Sequence, residues 1–345
     1  MQTGSTPPAG PGRPTLEVVA MRAGVSRATA SRVLRGAANV SDQARSAVLQ
    51  AADELNYTVN RAARALVTRR SDSVAFLVAE TEDRLFRDPY FLGILRGAQA
   101  QTAAAGLQLM FAVASTPAEV SKFEGYALGG HVDGVLLISL HGDDRLPQHL
   151  ESQGVPTVLN GRPISDDPAL YYVDSDNADG ARIATAHLLD AGRRRVATIT
   201  GPMDMGAGRD RLAGYRAALR AAGRPDEPKL VAHGDFTVEG GARAMRQLLQ
   251  SAPDLDAVFA ASDLTAIGAI GVLAEHGLDV PDRVAVVGFD DVREAGLSRP
   301  PLTTVRQPIE QLGRTMAHVL LDRINGRTSE RATVLPVELV RRASA

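Results

Sequence analysis

Arginine and hydroxyl side chains recur at helical spacing in Ser26-Arg27-Ala28-Thr29-Ala30-Ser31-Arg32-Val33-Leu34, and that combination suits hydrogen bonding to a polyanion. Wound as a helix, the stretch puts Ala30, Val33 and Leu34 on one apolar stripe, with Arg27, Ala28, Ser31 and Arg32 opposite. The second face is slim, and its guanidinium forks match the guanine O6 and N7 acceptors of a DNA major groove. Ser26 is a good N-cap, so the helix is expected to start at Arg27. Taken alone, the stretch fits a solvated surface helix with two arginines equally well. A second group of polar residues directly follows apolar runs: Asn160-Gly161-Arg162, Ser262-Asp263, Asp290-Asp291 and Thr303-Thr304-Val305-Arg306-Gln307. Residues at the carboxyl ends of parallel strands are where open α/β sheets bind ligands. Catalytic patterns are missing. Gly206-Ala207-Gly208 opens like a dinucleotide fingerprint, but Arg211 occupies the third glycine position, and no GxxxxGK[ST], HExxH or GxSxG occurs. Asp290-Asp291 has no histidine or second carboxylate cluster nearby in sequence, so a binding or capping pair is expected in place of an enzyme site. The seven histidines are scattered and cysteine is absent, so neither a metal nor a cofactor is implied.

Three amphipathic helices are needed to hold the arginine face. Thr15 caps the first, with Leu16, Val19, Ala20 and Ala23 on its inner side. Ala23-Gly24-Val25 is the glycine-bearing turn that joins two helices of a helix-turn-helix. Ser41 caps the third, which turns Ala44, Val48, Ala51, Ala52 and Leu55 inward. Residues 1–70 carry ten arginines, no lysine and four acids, a surplus of six positive charges; with an overall charge of −2, the remainder carries −8. A basic module on an acidic body points to polyanion binding by the first part only.

From Ser73 onward apolar runs alternate with helical stretches. Strands are expected at 74–78, 107–111, 134–138, 156–159, 196–199, 257–260 and 284–287, and a helix from Phe91 to Ala105. Strands this apolar, separated by helices, imply parallel sheets covered on both faces. Ala105-Gly106 and Ala222-Gly223, each preceded nine residues upstream by a glycine (Gly97, Gly214), suggest two similar α/β halves. The first 13 residues, rich in Pro, Gly, Ser and Thr, are expected to form a disordered tail. No apolar run approaches a membrane span, the N-terminus lacks a signal peptide's apolar core, and the absence of cysteine suits a cytoplasmic location. No heptad pattern follows Arg341-Arg342-Ala343-Ser344-Ala345, which speaks against a C-terminal coiled coil.

The string Thr15-Leu16, Val19-Ala20, Ala23-Gly24-Val25-Ser26, Thr29, Ser31-Arg32-Val33-Leu34, Val40-Ser41, Arg45, Ala51-Ala52, Leu55-Asn56-Tyr57, Asn60, Ala63 and Leu66 resembles the headpiece and hinge of lactose- and galactose-repressor (LacI/GalR) type transcription regulators. The resemblance implies an N-terminal all-α helix-turn-helix headpiece over 14–58, a hinge helix and linker over 59–71, and an α/β periplasmic-binding-protein-like core over 72–345. That core would comprise two doubly wound parallel-sheet subdomains, at 72–171 with 306–332 and at 172–305 with 333–345, the chain crossing near Tyr172, Val305 and Thr333. It further implies DNA contacts by Thr15, Leu16, Ser26, Arg27, Ala28, Thr29, Ser31, Arg32, Asn39 and Tyr57, and by Asn60, Arg61, Ala63 and Leu66 of the hinge. Leu66 matches a minor-groove wedge. Val59 replaces the family's usual proline, so entry to the hinge helix is expected to be less stiff. An effector would meet Tyr90, Phe91, Asn160, Arg211, Phe236, Ser262, Asp290 and Gln307, with Arg211 and Asp290 the gripping pair; Ser262 replaces a common asparagine.

The expected protein is a cytoplasmic, homodimeric, ligand-responsive repressor of a near-palindromic DNA operator, with a small sugar-like effector, no membrane association and no enzymatic activity. A nucleobase-responsive co-repressor, or an intracellular solute-binding protein, is the alternative.

Overall fold

A computed structural model describes residues 14–34, 39–57, 70–142, 144–165 and 167–345. The expected N-terminal tail and the expected hinge, with Val59, Asn60, Arg61, Ala63 and Leu66, lie outside the described residues. The chain divides into two compact units, 1–71 and 72–345.

The first unit holds α1 (Leu16–Arg22), α2 (Arg27–Leu34) and α3 (Asp42–Glu54). Its core is small: Val19, Ala20, Ala30, Val33, Val48, Ala51 and Ala52 are buried, and Leu16, Leu34, Leu55 and Tyr57 close its edges. Ser41 caps α3 by accepting from the Ala44 N–H. The Ser26 hydroxyl likewise accepts from the Thr29 N–H at 3.1 Å, which fixes the start of α2. Thr15 departs from expectation. It occupies the N-cap position of α1 in extended conformation, yet its side chain makes no capping hydrogen bond.

The second unit contains two six-stranded sheets. The first comprises β1 (Ser73–Val78), β2 (Gln108–Val113), β3 (Val135–Ile138), β4 (Thr157–Asn160), β5 (Tyr171–Ser175) and β11 (Ala332–Leu335), in the order β11-β5-β4-β3-β1-β2. The second comprises β6 (Val196–Thr200), β7 (Val231–His233), β8 (Ala257–Ala260), β9 (Ala285–Asp290), β10 (Thr303–Arg306) and β12 (Glu338–Val340), in the order β12-β10-β9-β8-β6-β7. Every pairing is parallel except β10 with β12, an antiparallel edge on an otherwise parallel sheet. The central strands are buried throughout because apolar layers cover both faces of each sheet.

Helices α4 (Glu82–Arg87), α5 (Pro89–Ala104), α6 (Pro117–Tyr126) and α7 (Leu146–Ser152) follow strands of the first sheet. Helices α8 (Asn177–Asp190), α9 (Gly206–Ala221), α10 (Val238–Ser251), α11 (Asp263–Glu275) and α12 (Arg293–Leu297) accompany the second, and α13 (Ile309–Ile324) returns to pack on α5. That return is tight: a Cβ on Gly97 would lie 2.0 Å from the Glu310 carbonyl, and one on Gly313 equally near that of Ile94, so only glycine permits the approach. Gly214 plays the matching part in the second lobe, against Ala178 of α8.

The crossings between lobes fall a few residues later than expected. β5 pairs with β4 and β11, so residues 172–175 and 333–335 belong to the first lobe. The chain crosses at Asp176, at Gln307-Pro308 and at Pro336-Val337, each between consecutive elements that belong to different lobes.

Candidate functional site

In the headpiece, Arg27, Ala28 and Arg32 project from α2 into solvent, and Ser31 and Thr29 are half-buried beside them. Arg27 holds Glu17 of α1 at 2.8 Å in a pair open to water. The Thr29 hydroxyl sits 2.9 Å from the Ser26 hydroxyl, so both take part in capping α2. Asn39 is exposed, whereas Leu16 and Tyr57 lean on the headpiece core. The outward face is therefore a slim, basic surface held on three short helices.

In the core, one cavity opens between the carboxyl ends of the two sheets, with about 980 Å³ of empty space including that open to solvent. All eight residues expected to meet an effector line it: Tyr90, Phe91, Asn160, Arg211, Phe236, Ser262, Asp290 and Gln307. Arg211, on the first turns of α9, holds its guanidinium carbon 3.7 Å from the centre of the Phe289 ring and 5.4 Å from that of Phe236. It donates from Nε to Asn177 Oδ1 at 2.8 Å and from Nη1 to the Ala261 carbonyl, with Asp290 Oδ1 at 3.4 Å. Gln307 donates to the same Asp290 oxygen at 2.6 Å. Burial outweighs Arg211 and pushes the Asp290 carboxyl up to about 7. Asp174, at the end of β5, is raised by burial to about 6 although it accepts from the Arg162 and Ser175 N–H groups. Asp88 is raised by the same cause.

Tyr90 donates to Asn160 Oδ1 at 2.9 Å, and the amide nitrogen of Asn160 is buried without a partner. Tyr90 and Phe91 meet edge to face. Ser262 caps α11 through the Thr265 N–H at 3.2 Å, so its hydroxyl serves the helix as well as the cavity wall. Asp263 and Asp291 do not line the cavity. Asp263 accepts from the Thr304 hydroxyl and the Val292 N–H, and Asp291 pairs with Arg306 and Arg342. Backbone strain gathers here too: Ser139, Phe236, Asp290 and Asp291 all have positive φ, the region disfavoured for side-chain-bearing residues.

The lobes are bridged on either side of the cavity. Arg162 makes a two-pronged pair with Asp210 of α9, at 3.1 and 2.6 Å. His141 stands between Glu80 of its own lobe at 2.9 Å and Asp204 of the other at 3.0 Å, and the Gly142 N–H donates to the Asp204 carbonyl at 2.8 Å. The intervening Gly206 and Gly208 are explained by packing: a Cβ on either would lie about 2 Å from the Arg162 or Pro202 carbonyl oxygen. They are not a phosphate cradle.

Sequence reasoning missed Asp88, Asp144, Gln148, Ser165, Asp174 and Asn177, all of which line the cavity. Asp174 was legible in principle, since it ends the run Tyr171-Tyr172-Val173; Gln148, within a short helix, carried no signal. Among the described residues no group of three or more His, Asp or Glu could hold a metal, and no helix is long and apolar enough to cross a membrane.

Residues 15–60 match the family model of bacterial regulatory proteins of the lacI family, and residues 185–345 that of a periplasmic binding protein-like domain. Over 329 residues the chain is 51% identical to the HTH-type transcriptional regulator CelR of Thermobifida fusca, covering 95% of each protein. The chain belongs to the LacI family. It is 35% identical over 342 residues to the transcriptional repressor PurR of Erwinia tasmaniensis, covering 96% of this chain and 97% of that one. Among solved structures it resembles a complex of the regulator CelR with cellobiose, at 48% identity and a TM-score of 0.78 over 96% of this chain and all of that one. It also resembles a lac repressor dimer bound to operator and an anti-inducer, at 27% identity and a TM-score of 0.83 over 96% of this chain and 99% of that one. These LacI-family relatives are transcription regulators, not enzymes, and a headpiece joined to a two-lobed core is the architecture they share with this chain.

Proposed function

We propose that this LacI-family protein is a homodimeric transcription repressor whose grip on a near-palindromic DNA operator is set by a small sugar in the core cavity. The observation that carries the sugar reading is the cavity's mixed donor and acceptor set. The Arg211–Asp290–Gln307 cluster, the half-used amide of Asn160 and the flat ring of Phe236 together suit a ring with hydroxyls on its rim and C–H groups on its faces. The likeness to a CelR–cellobiose complex favours a β-linked glucose disaccharide as first candidate.

In the headpiece, Arg27, Ala28 and Arg32 meet base edges, while Ser26, Thr29, Ser31, Thr15 and Asn39 lie toward phosphates. Leu16 and Tyr57 support the helices from the core side. Two headpieces related by a twofold axis would read two half-sites. The effector acts through its different contacts with open and closed lobes, the only way a ligand can shift such an equilibrium. The protein would work in the cytoplasm, where its DNA is. A thermal-shift screen with cellobiose, glucose and nucleobases tests the ligand class, because a ligand that binds only the native state raises the melting temperature. A gel-shift titration with and without the hit tests the coupling. Stabilisation by a nucleobase and not by any sugar would replace the sugar reading with that of a co-repressor.

A further inference from the structure

The Arg211–Asp290–Gln307 cluster belongs to the second lobe and to the crossing segment that follows β10, but a different set of polar groups meets the same cavity from the first lobe alone. Gln148 of α7 is hydrogen-bonded through one end of its amide to the Ser165 hydroxyl, at 3.2 Å, in the loop between β4 and β5. The other end is buried without any partner. A hydroxyl both donates and accepts, so Ser165 can hold either end of the amide, and whichever end is held, the remaining one is left unpaired. Pro147 and Ile164, the chain neighbours of the pair, line this corner of the cavity with it, and Leu140 and Asp144 also line the cavity. It shares no hydrogen bond or ion pair with the Arg211 cluster. A buried polar group without a partner is uncommon in folded proteins, and it is expected where a ligand supplies the missing hydrogen bond.

Building on the sugar reading, we propose that Gln148, held by Ser165, is a specificity-determining residue that reads a hydroxyl on the second unit of a two-unit sugar whose first unit is gripped by Arg211 and Asp290. The amide and Ser165 are neutral, Asp144 is acidic and Arg162 is already paired with Asp210, so these groups offer no free cation to a sugar acid or phosphate and the unit taken is a neutral polyol. Because the amide's free end is buried, a second unit with no hydroxyl at that place leaves it unpaired and binds less well.

Titration calorimetry with cellobiose and glucose separates the outcomes. The full-length protein and its Gln148→Leu and Ser165→Ala variants are compared after their melting temperatures show that each is folded. Gln148→Leu is expected to weaken cellobiose binding by about tenfold or more while glucose binding stays within about twofold. Ser165→Ala, which leaves the amide in place but unheld, should show a smaller loss in the same direction. Wild-type protein that binds neither sugar overturns the sugar reading and this assignment with it. Wild-type protein that binds cellobiose while Gln148→Leu binds it equally well, or loses both sugars by the same factor, overturns this assignment alone.

Discussion

The headpiece and the core place their arginines in opposite surroundings. Arg27 is 71% exposed and its partner Glu17 is 55% exposed, whereas Arg211 is 6% and Asp290 10% exposed. An exposed guanidinium keeps its hydration and can exchange one acceptor for another at little cost, which suits sliding along a polyanion. A buried one is desolvated, pinned by Asn177, Ala261 and the Phe289 ring, and cannot relax if its partner is removed. The same residue type therefore gives a salt-tunable contact in one unit and a fixed instrument in the other.

The largest expected effect is at the buried pole. Arg211→Ala leaves Asp290 without its cation and removes the guanidinium from one side of the cavity; a hydrogen bond to a charged group contributes about 1.5–3 kcal/mol, so effector binding should fall by about a hundredfold. Calorimetry reads it, and an Arg211→Ala protein with unchanged affinity would erase the contrast. Next come Arg27→Ala and Arg32→Ala, each expected to lower affinity for the specific operator by about ten- to a hundredfold while binding to unrelated duplex changes little. Gel shifts with both duplexes test this, and an equal loss on both would make these arginines mere phosphate contacts.

A proton-linked effect of intermediate size belongs to the core. Burial raises Asp290 to about 7 and Asp174 to about 6, and the hydrogen bond that His141 donates to the Glu80 carboxylate, aided by Asp204, raises His141 above its ordinary 6.5. Groups that hold their protons more tightly in the folded state favour it at low pH. The carboxyls' contribution is complete below their ordinary value of 3.8 and disappears as pH rises through 6 to 7; that of His141 is complete below 6.5 and lost above its raised value. The melting temperature of the free protein should therefore fall as pH rises from about 4 to about 7. Sugar hydroxyls that donate to Asp290 and Asp174 favour the ionised forms, so binding should release protons. Calorimetry in buffers of different ionisation enthalpy counts them, and a count of zero would contradict the buried, protonated state. The smallest effect is expected at Glu17. Glu17→Gln frees Arg27 from an exposed competitor and should raise operator affinity by less than about fivefold, the gain shrinking with added salt.

Legibility in the sequence followed the same divide. The headpiece could be read residue by residue because caps and apolar stripes are local signals: Ser26, Ser41, Val19, Ala30 and Val48 stand where spacing put them. In the core, the long apolar strands were equally plain. β5, β7, β10, β11 and β12 were not, since each is short and mixes polar with apolar residues, and the two crossings beside β5 and β11 were displaced with them. Family resemblance located the eight cavity residues. Asp174 stood at the end of a run that was legible but was passed over, whereas Asp88 and Gln148 escaped because their importance lies in burial, which depends on residues far along the chain.

The crossings also decide how force is carried. Two of the three threads joining the lobes are themselves tied to the ionic cluster, Asn177 just past the first and Gln307 on the second, the one holding Arg211 and the other Asp290. The axle on which the lobes would turn is thus part of the seat. A molecule that bridged Arg211 and Asp290 would press on residues held by the crossings themselves, with no further side chain between seat and pivot.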